Sequence, residues 1–271
     1  MISRRNGLVG LMGAVLAERV APAQASEAAA VLAPGGTLRA VYIVANLAQA
    51  TRDPATGRPA GVVVDLAEEL ARRAGMAVQI TPIETAARVL DAVRQGEADI
   101  GFVAPNPDRQ GVVLYSQTYM LVQQSAVVRD GSAIVSVRDL DAPGRTIGAN
   151  TDDSVSVWLR GHLHQAAVRE SADYSLGEAA RWLADGTVGA FAGNRQRLGA
   201  GLRGVVGLRL LPDNLYGVPQ TVAVSLGQTQ RLALVNATLD MLRANGFLAA
   251  AMARSGVDGI AVAPPTPPAV R

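Results

Sequence analysis

QGEADIGFVA at residues 95–104 and DGTVGAFAGN at residues 185–194 are one pattern written twice. Each ends a helical segment on a glycine, turns, and enters an apolar run too short for a helix and rich enough for a buried strand. Working outward, the first copy follows a strand at TLRAVYIVA (37–45), a helix at VVVDLAEELARRAG (62–75), a strand at MAVQITPI (76–83) and a helix at TAARVLDAVRQG (85–96). The second follows RTIGA (145–149), DSVSVWLRGHLHQA (153–166), AVRES (167–171) and LGEAARWLADG (176–186) in the same strand and helix order. Leu66, Leu70 and Ala74 share one face of the first helix, with Glu68/Arg72 and Glu69/Arg73 spaced i,i+4. In the next helix Val89, Leu90 and Val93 point inward. Strand and helix alternation with such short joins predicts an α/β protein of two doubly wound lobes, each a right-handed βαβαβ unit.

Two extended runs, YMLVQQSAVVR (119–129) and YGVPQTVAVSL (216–226), join the lobes as a two-strand hinge. The helix TQRLALVNATLDMLRANGF (229–247), with Leu232, Val235, Leu239 and Leu242 inward, returns to the first lobe. The expected division is 36–124 with 219–255 for lobe 1, 125–218 for lobe 2, and a disordered proline-rich tail over 256–271.

Composition removes whole classes of chemistry. The 271 residues contain no cysteine, so disulfides, thiolate nucleophiles and zinc-thiolate sites are excluded. They contain no lysine either, all 25 basic residues being arginine. That rules out a P-loop lysine and a pyridoxal Schiff base. His162 and His164 are the two histidines, and a spacing of two on a helix splits them between faces, so no metal site is expected. No G-x-S-x-G, G-x-G-x-x-G or H-E-x-x-H motif is present, and no cofactor is expected. Glu84 and Glu170 are the carboxylates to consider as an acid and base pair, with nothing in the sequence to bring them together. Trp158 and Trp182 read as core.

At the N-terminus, Arg4 and Arg5 precede the apolar run GLVGLMGAVLA and an A-x-A site at Ala23 to Ala25. This reads as an export signal over 1–25, by the Sec or twin-arginine route, with a mature chain beginning near Ser26. The mature chain then carries 22 arginines and 22 acidic residues. Such neutrality gives a nucleic-acid surface no support, and no later segment is long and apolar enough to span a bilayer. A soluble, periplasmic, monomeric protein is the expectation.

The order of GTLRA (36–40), the G-x-x-x-D-L-A-x-x-L-A stretch from Gly61 to Ala71, the helix-glycine-x-x-Asp stretch from Gln95 to Ile100, NPDR (106–109), YSQTY (115–119) and the hinge strands resembles the family 3 periplasmic solute-binding proteins of ABC uptake systems. The similarity runs over about residues 36–255. It implies a two-lobed receptor that closes on a small, usually amino-acid-like ligand and delivers it to a membrane permease. Sensor domains and periplasmic dehydratases of carboxylated rings share the scaffold, so the enzyme is the competing class.

Open α/β sheets bind ligands beyond the carboxyl ends of their strands. Here those ends are Asn46 to Gln49, Glu84 to Arg88, Ala104 to Arg109, Asn150 to Ser154 and Gly193 to Arg195. The resemblance implies that Arg109 grips a ligand carboxylate with a bidentate fork. Around it the chain departs from the family pattern: Ala104 and Pro105 stand where hydroxyls are common, Ala86 where an aromatic stacks on the ligand, and Asn194 where an aspartate receives an α-ammonium. An asparagine carbonyl accepts that hydrogen bond without supplying charge. In the second lobe Thr151 or Asp152 is the expected helix N-cap facing the cleft, and Arg195 is the expected ligand contact after the last strand.

Overall fold

A computed structural model describes residues 22–105, 111–151, 153–173 and 176–265. The first lobe is built as β1 (Thr37–Ile43), α2 (Val62–Arg73), β4 (Ala77–Ile83), α3 (Ala86–Arg94) and β5 (Ile100–Val103). A small hairpin of β2 (Thr51–Arg52) and β3 (Pro59–Ala60) lies between β1 and α2. The second lobe repeats this with β8 (Thr146–Asn150), α4 (Ser154–His162), β9 (Ala167–Ser171), α5 (Leu176–Ala184) and β10 (Ala190–Asn194). In both lobes the first strand is central and parallel to the other two: β1 lies between β4 and β5, and β8 between β9 and β10. The repeated pattern of the sequence is a repeated topology.

The joining strand is β7 (Met120–Arg129). Its first half pairs antiparallel with β12 (Tyr216–Ser225) on one edge and with β13 (Ile260–Val262) on the other. Its second half pairs with β10 and with β11 (Leu208–Leu210). β12 continues into the first lobe, where it pairs with β5 and with β6 (Val113–Tyr115). Among the described residues one sheet therefore runs through both lobes, and β7 and β12 are the strands that cross between them. They lie close: a Cβ on Gly217 would meet Leu121 Cβ at 2.8 Å.

Each lobe packs its helices on both faces of its sheet. In the first, α2 and the later helices α7 (Thr229–Ala244) and α8 (Phe247–Ser255) bury Leu66, Leu70, Val235, Leu239 and Leu242 with Leu38, Ile100 and Phe102, while α3 buries Val89 and Val93 on the other face. In the second, α4 and α5 bury Leu159 and Leu183 on opposite sides of Ile147 and Phe191. Among the described residues no helix is long and apolar enough to cross a membrane.

Several elements depart from expectation. The helix after β8 stops at His162 because Asp141 offers its carboxylate to the backbone N–H groups of His164, Gln165 and Ala166, drawing them out of helical pairing. Glu69 takes both Arg72 and Arg73, each at 2.7 Å, in place of the expected Glu68/Arg72 pair. Within the span expected as a tail, Ile260–Val262 form β13 and Ala263 is buried beyond it, while residues 266–271 lie outside the described residues. A helix α1 (Pro22–Leu32) runs across the predicted cleavage point, and Ala28, Ala29 and Leu32, all beyond Ser26, pack on the first core.

Candidate functional site

A cleft of about 660 Å³ lies where the carboxyl ends of the strands of both lobes face each other. Its first-lobe wall comprises Ile43, Ala45, Asn46, Leu47 and Ala104; its second-lobe wall comprises Asp153, Ser154, Asn194, Gln196 and Arg197; and the hinge strands form its floor with Val122, Gln124, Val218 and Gln220.

The first-lobe wall is held by amides. Gln49, fully buried, accepts the Ile43 N–H at 2.9 Å and donates from Nε2 to the Phe102 carbonyl at 3.1 Å and to Gln220 Oε1 at 3.2 Å. Asn46 donates to the same Gln220 oxygen at 3.4 Å and accepts the Ala48 N–H at 3.2 Å. The turn after β1 is thus tied to β5 and to a hinge strand without any charge. Gly61, at φ 143°, makes this possible, since a Cβ there would lie 2.8 Å from the Gln49 carbonyl oxygen.

The opposite wall carries the charges. Asp153 is the N-cap of α4, its carboxylate accepting the Val155 N–H at 3.3 Å. The Arg197 guanidinium donates to its other oxygen at 3.3 Å. Asn194 caps the short helix α6 (Arg195–Gly201), its Oδ1 accepting the Arg197 N–H at 3.1 Å. Ser154 accepts from the Tyr216 hydroxyl at 3.3 Å, and the Tyr216 ring continues into a stack with Trp158, 5.1 Å away, and His162 beyond it. Burial of Tyr216 raises its pKa above the ordinary value; the Ser154 bond opposes this and the Asp153 charge adds to it.

Of the residues expected from sequence, Asn46, Ala104 and Asn194 line this cleft. Arg109 and Asp152 lie outside the described residues. Ala86, at the start of α3, packs against the core around Val89, and Thr151 extends the β8 pairing through its N–H to the Ser171 carbonyl. Arg195 turns away to the hinge. It donates to the Leu211 carbonyl at 2.9 Å and to Asp258, beside β13, at 3.1 Å, because the first turn of α6 sends successive side chains in different directions. The neighbours Gln196 and Arg197 face the cleft instead. Glu170 pairs with Arg160 and Glu84 is exposed; neither lines the cleft. Gln124 and Gln220 were not singled out from the sequence. Their signal was a glutamine interrupting each apolar hinge strand.

Residues 44–255 match the model of the bacterial extracellular solute-binding proteins, family 3. The chain belongs to this family. A comparison with curated proteins gave no match. Among solved structures, the second substrate-binding domain of a putative amino acid ABC transporter from Streptococcus pneumoniae is similar with a TM-score of 0.64 at 19% identity, over 80% of this chain and 99% of that one. An ancestral cationic amino acid solute-binding protein gives 0.61 at 22% identity, over 82% and 96%. A substrate-binding protein from S. pneumoniae bound to L-arginine gives 0.59 at 18% identity, over 83% and 96%. These likenesses carry the fold, that of the type II periplasmic binding proteins. Motif residues outside the cleft tie the elements of the first lobe together. Asp65 pairs with Arg254 of α8. Asp99 accepts the Arg39 fork at 2.8 and 3.0 Å. Gln117 is held to Asn236 of α7 at 2.9 Å.

Proposed function

We propose that this family 3 solute-binding protein is the exported receptor of an ABC uptake system, and that it captures a small carboxylate-bearing solute by closing its lobes over the cleft. The observation that carries this reading is the position of the cleft, at the carboxyl ends of both sheets and floored by the two strands that cross between the lobes. Membership of an extracellular solute-binding family and neighbours described as amino acid ABC transporter proteins support the same role. Delivery to a permease and residence in the periplasm follow from that role and from the signal read over residues 1–25.

The ligand carboxylate is assigned to Arg109 on the family resemblance, in the segment that directly follows the cleft residue Ala104. Calorimetric titration of the purified chain against small organic acids and amino acids tests the whole reading. Binding should be saturable and stoichiometric, with the ligand recovered unchanged. Arg109→Ala should cost about 2–5 kcal/mol of binding, because the carboxylate is left desolvated and unpaired, with Arg109→Lys recovering part of it. Consumption of the ligand would instead identify a dehydratase-like enzyme. One neighbour is described as an ancestral amino-acid-binding precursor of such an enzyme.

A further inference from the structure

A cleft that holds an α-ammonium needs oxygens turned towards it, whereas one that holds a carboxylate alone needs N–H donors. In the described lining the side-chain oxygens of Asp153, Ser154, Asn194, Asn46 and Gln220 each accept a hydrogen bond within the protein. The carboxylate of Asp153 is charge-paired with Arg197 and also caps α4. Asn194 Oδ1, at the position where an ammonium acceptor was expected, takes the Arg197 N–H. Across the cleft, Asn46 Oδ1 takes the Ala48 N–H, and Gln220 Oε1 takes two amide donors. One donor stands in the opposite condition. Nε2 of Gln196 is buried in the cleft wall and meets no acceptor. A buried N–H group without a partner is unfavourable until an acceptor arrives, and a ligand oxygen is such an acceptor.

We propose that the cleft selects a carboxylate-bearing solute that lacks an α-ammonium, and that Gln196 is a specificity-determining residue that donates from Nε2 to an oxygen of that solute. The inference rests on the reading of this cleft as the solute site. Its physical basis is the imbalance between committed oxygens and the uncommitted amide: an ammonium entering here meets an Asp153 carboxylate whose charge is already balanced by Arg197, while an oxygen repairs an existing deficit. Apolar Ile43, Leu47, Val122 and Val218 complete the lining and suit the hydrocarbon part of such an acid.

The test uses matched pairs of probes that differ by the ammonium alone: L-glutamate and glutarate, L-leucine and 4-methylpentanoate, L-phenylalanine and 3-phenylpropanoate. Each is titrated calorimetrically into the purified chain. In the pair that binds, the acid without the ammonium should bind at least about tenfold tighter. Gln196→Leu, which keeps bulk and removes the donor, should weaken that acid about tenfold while the melting temperature of the free chain holds or rises. Gln196→Glu should move the preference towards the amino partner. A wild-type preference for the amino partner, or a Gln196→Leu variant of unaltered affinity, overturns this inference and leaves the receptor reading standing. If no acid or amino acid binds a folded chain, the receptor reading fails and this inference fails with it.

Discussion

The hydroxyl of Tyr119 is buried without a hydrogen-bond partner, in contact with Phe102 at a ring separation of 6.0 Å, and its desolvation pushes the phenol pKa upward. Tyr119→Phe removes a polar atom that the fold does not satisfy. Stability should hold or rise by about 1 kcal/mol, the lower part of the desolvation cost of an unmet polar group. A chemical denaturation curve reads this directly, and a loss of stability would show that the hydroxyl has a partner after all. Asp141 is the opposite case. It accepts three backbone N–H groups, from His164, Gln165 and Ala166, and these hold its pKa below the ordinary 3.8. A depressed folded pKa means that the native state binds the proton less readily than the unfolded one. Its contribution is therefore complete above the ordinary value and lost as pH falls through the depressed one. The stability difference between the wild type and Asp141→Asn should be constant from neutral pH down to about 4 and close below that. A difference that persists unchanged into strong acid would mean that the carboxylate is not what holds the loop.

Arg195 shows how far a residue at the right place in the chain can still serve another purpose. Its guanidinium links α6 to the Leu211 carbonyl and to Asp258, just ahead of β13, so the C-terminal strand that pairs with the first-lobe half of β7 also touches the second lobe. Arg195→Ala leaves the buried Leu211 carbonyl without this donor and should cost about 1–3 kcal/mol of stability, with ligand affinity kept within a few-fold. Affinity lost at an unchanged melting temperature would return Arg195 to the ligand. The two βαβαβ units and the hinge strands were legible in the sequence because buried parallel strands and amphipathic helices announce themselves by periodicity. β13 was not, because its three residues, Ile260–Val262, run directly into a proline-rich stretch and pair with a strand distant in the chain. The helix end at His162 was missed because its cause is Asp141, outside the helix. In the cleft, Asn46, Ala104 and Asn194 were legible from strand ends. The direction of each side chain in the first turn of α6 was not, since it depends on where β10 delivers the chain.

At the scale of the whole molecule the question is whether the two lobes move. β7 and β12 carry the crossing, and one cleft is lined from both lobes, by Asn46 and Ala104 on one side and by Asn194, Gln196 and Arg197 on the other. A ligand shifts an open to closed equilibrium only by the difference between its affinities for the two states. Driving a population from 1:99 to 99:1 requires about 5.5 kcal/mol of that difference. Contacts to the first-lobe wall alone, around Asn46 and Ala104, are available in the open form and contribute nothing to the shift. In the proposed closure, contacts to Asn194, Gln196 and Arg197 made in addition are what the closed state gains. Small-angle scattering should therefore show a smaller radius of gyration at saturating ligand in the wild type. In Gln196→Leu the same ligand should still bind, more weakly, and compaction should be reduced at matched saturation, because first-lobe contacts remain while a closed-state contact is gone. Full compaction in the variant at matched saturation would mean that other closed-state contacts suffice to drive closure. No compaction in the wild type at saturation would mean that β7 and β12 are a rigid bridge, and that solute enters a cleft already set at its final width.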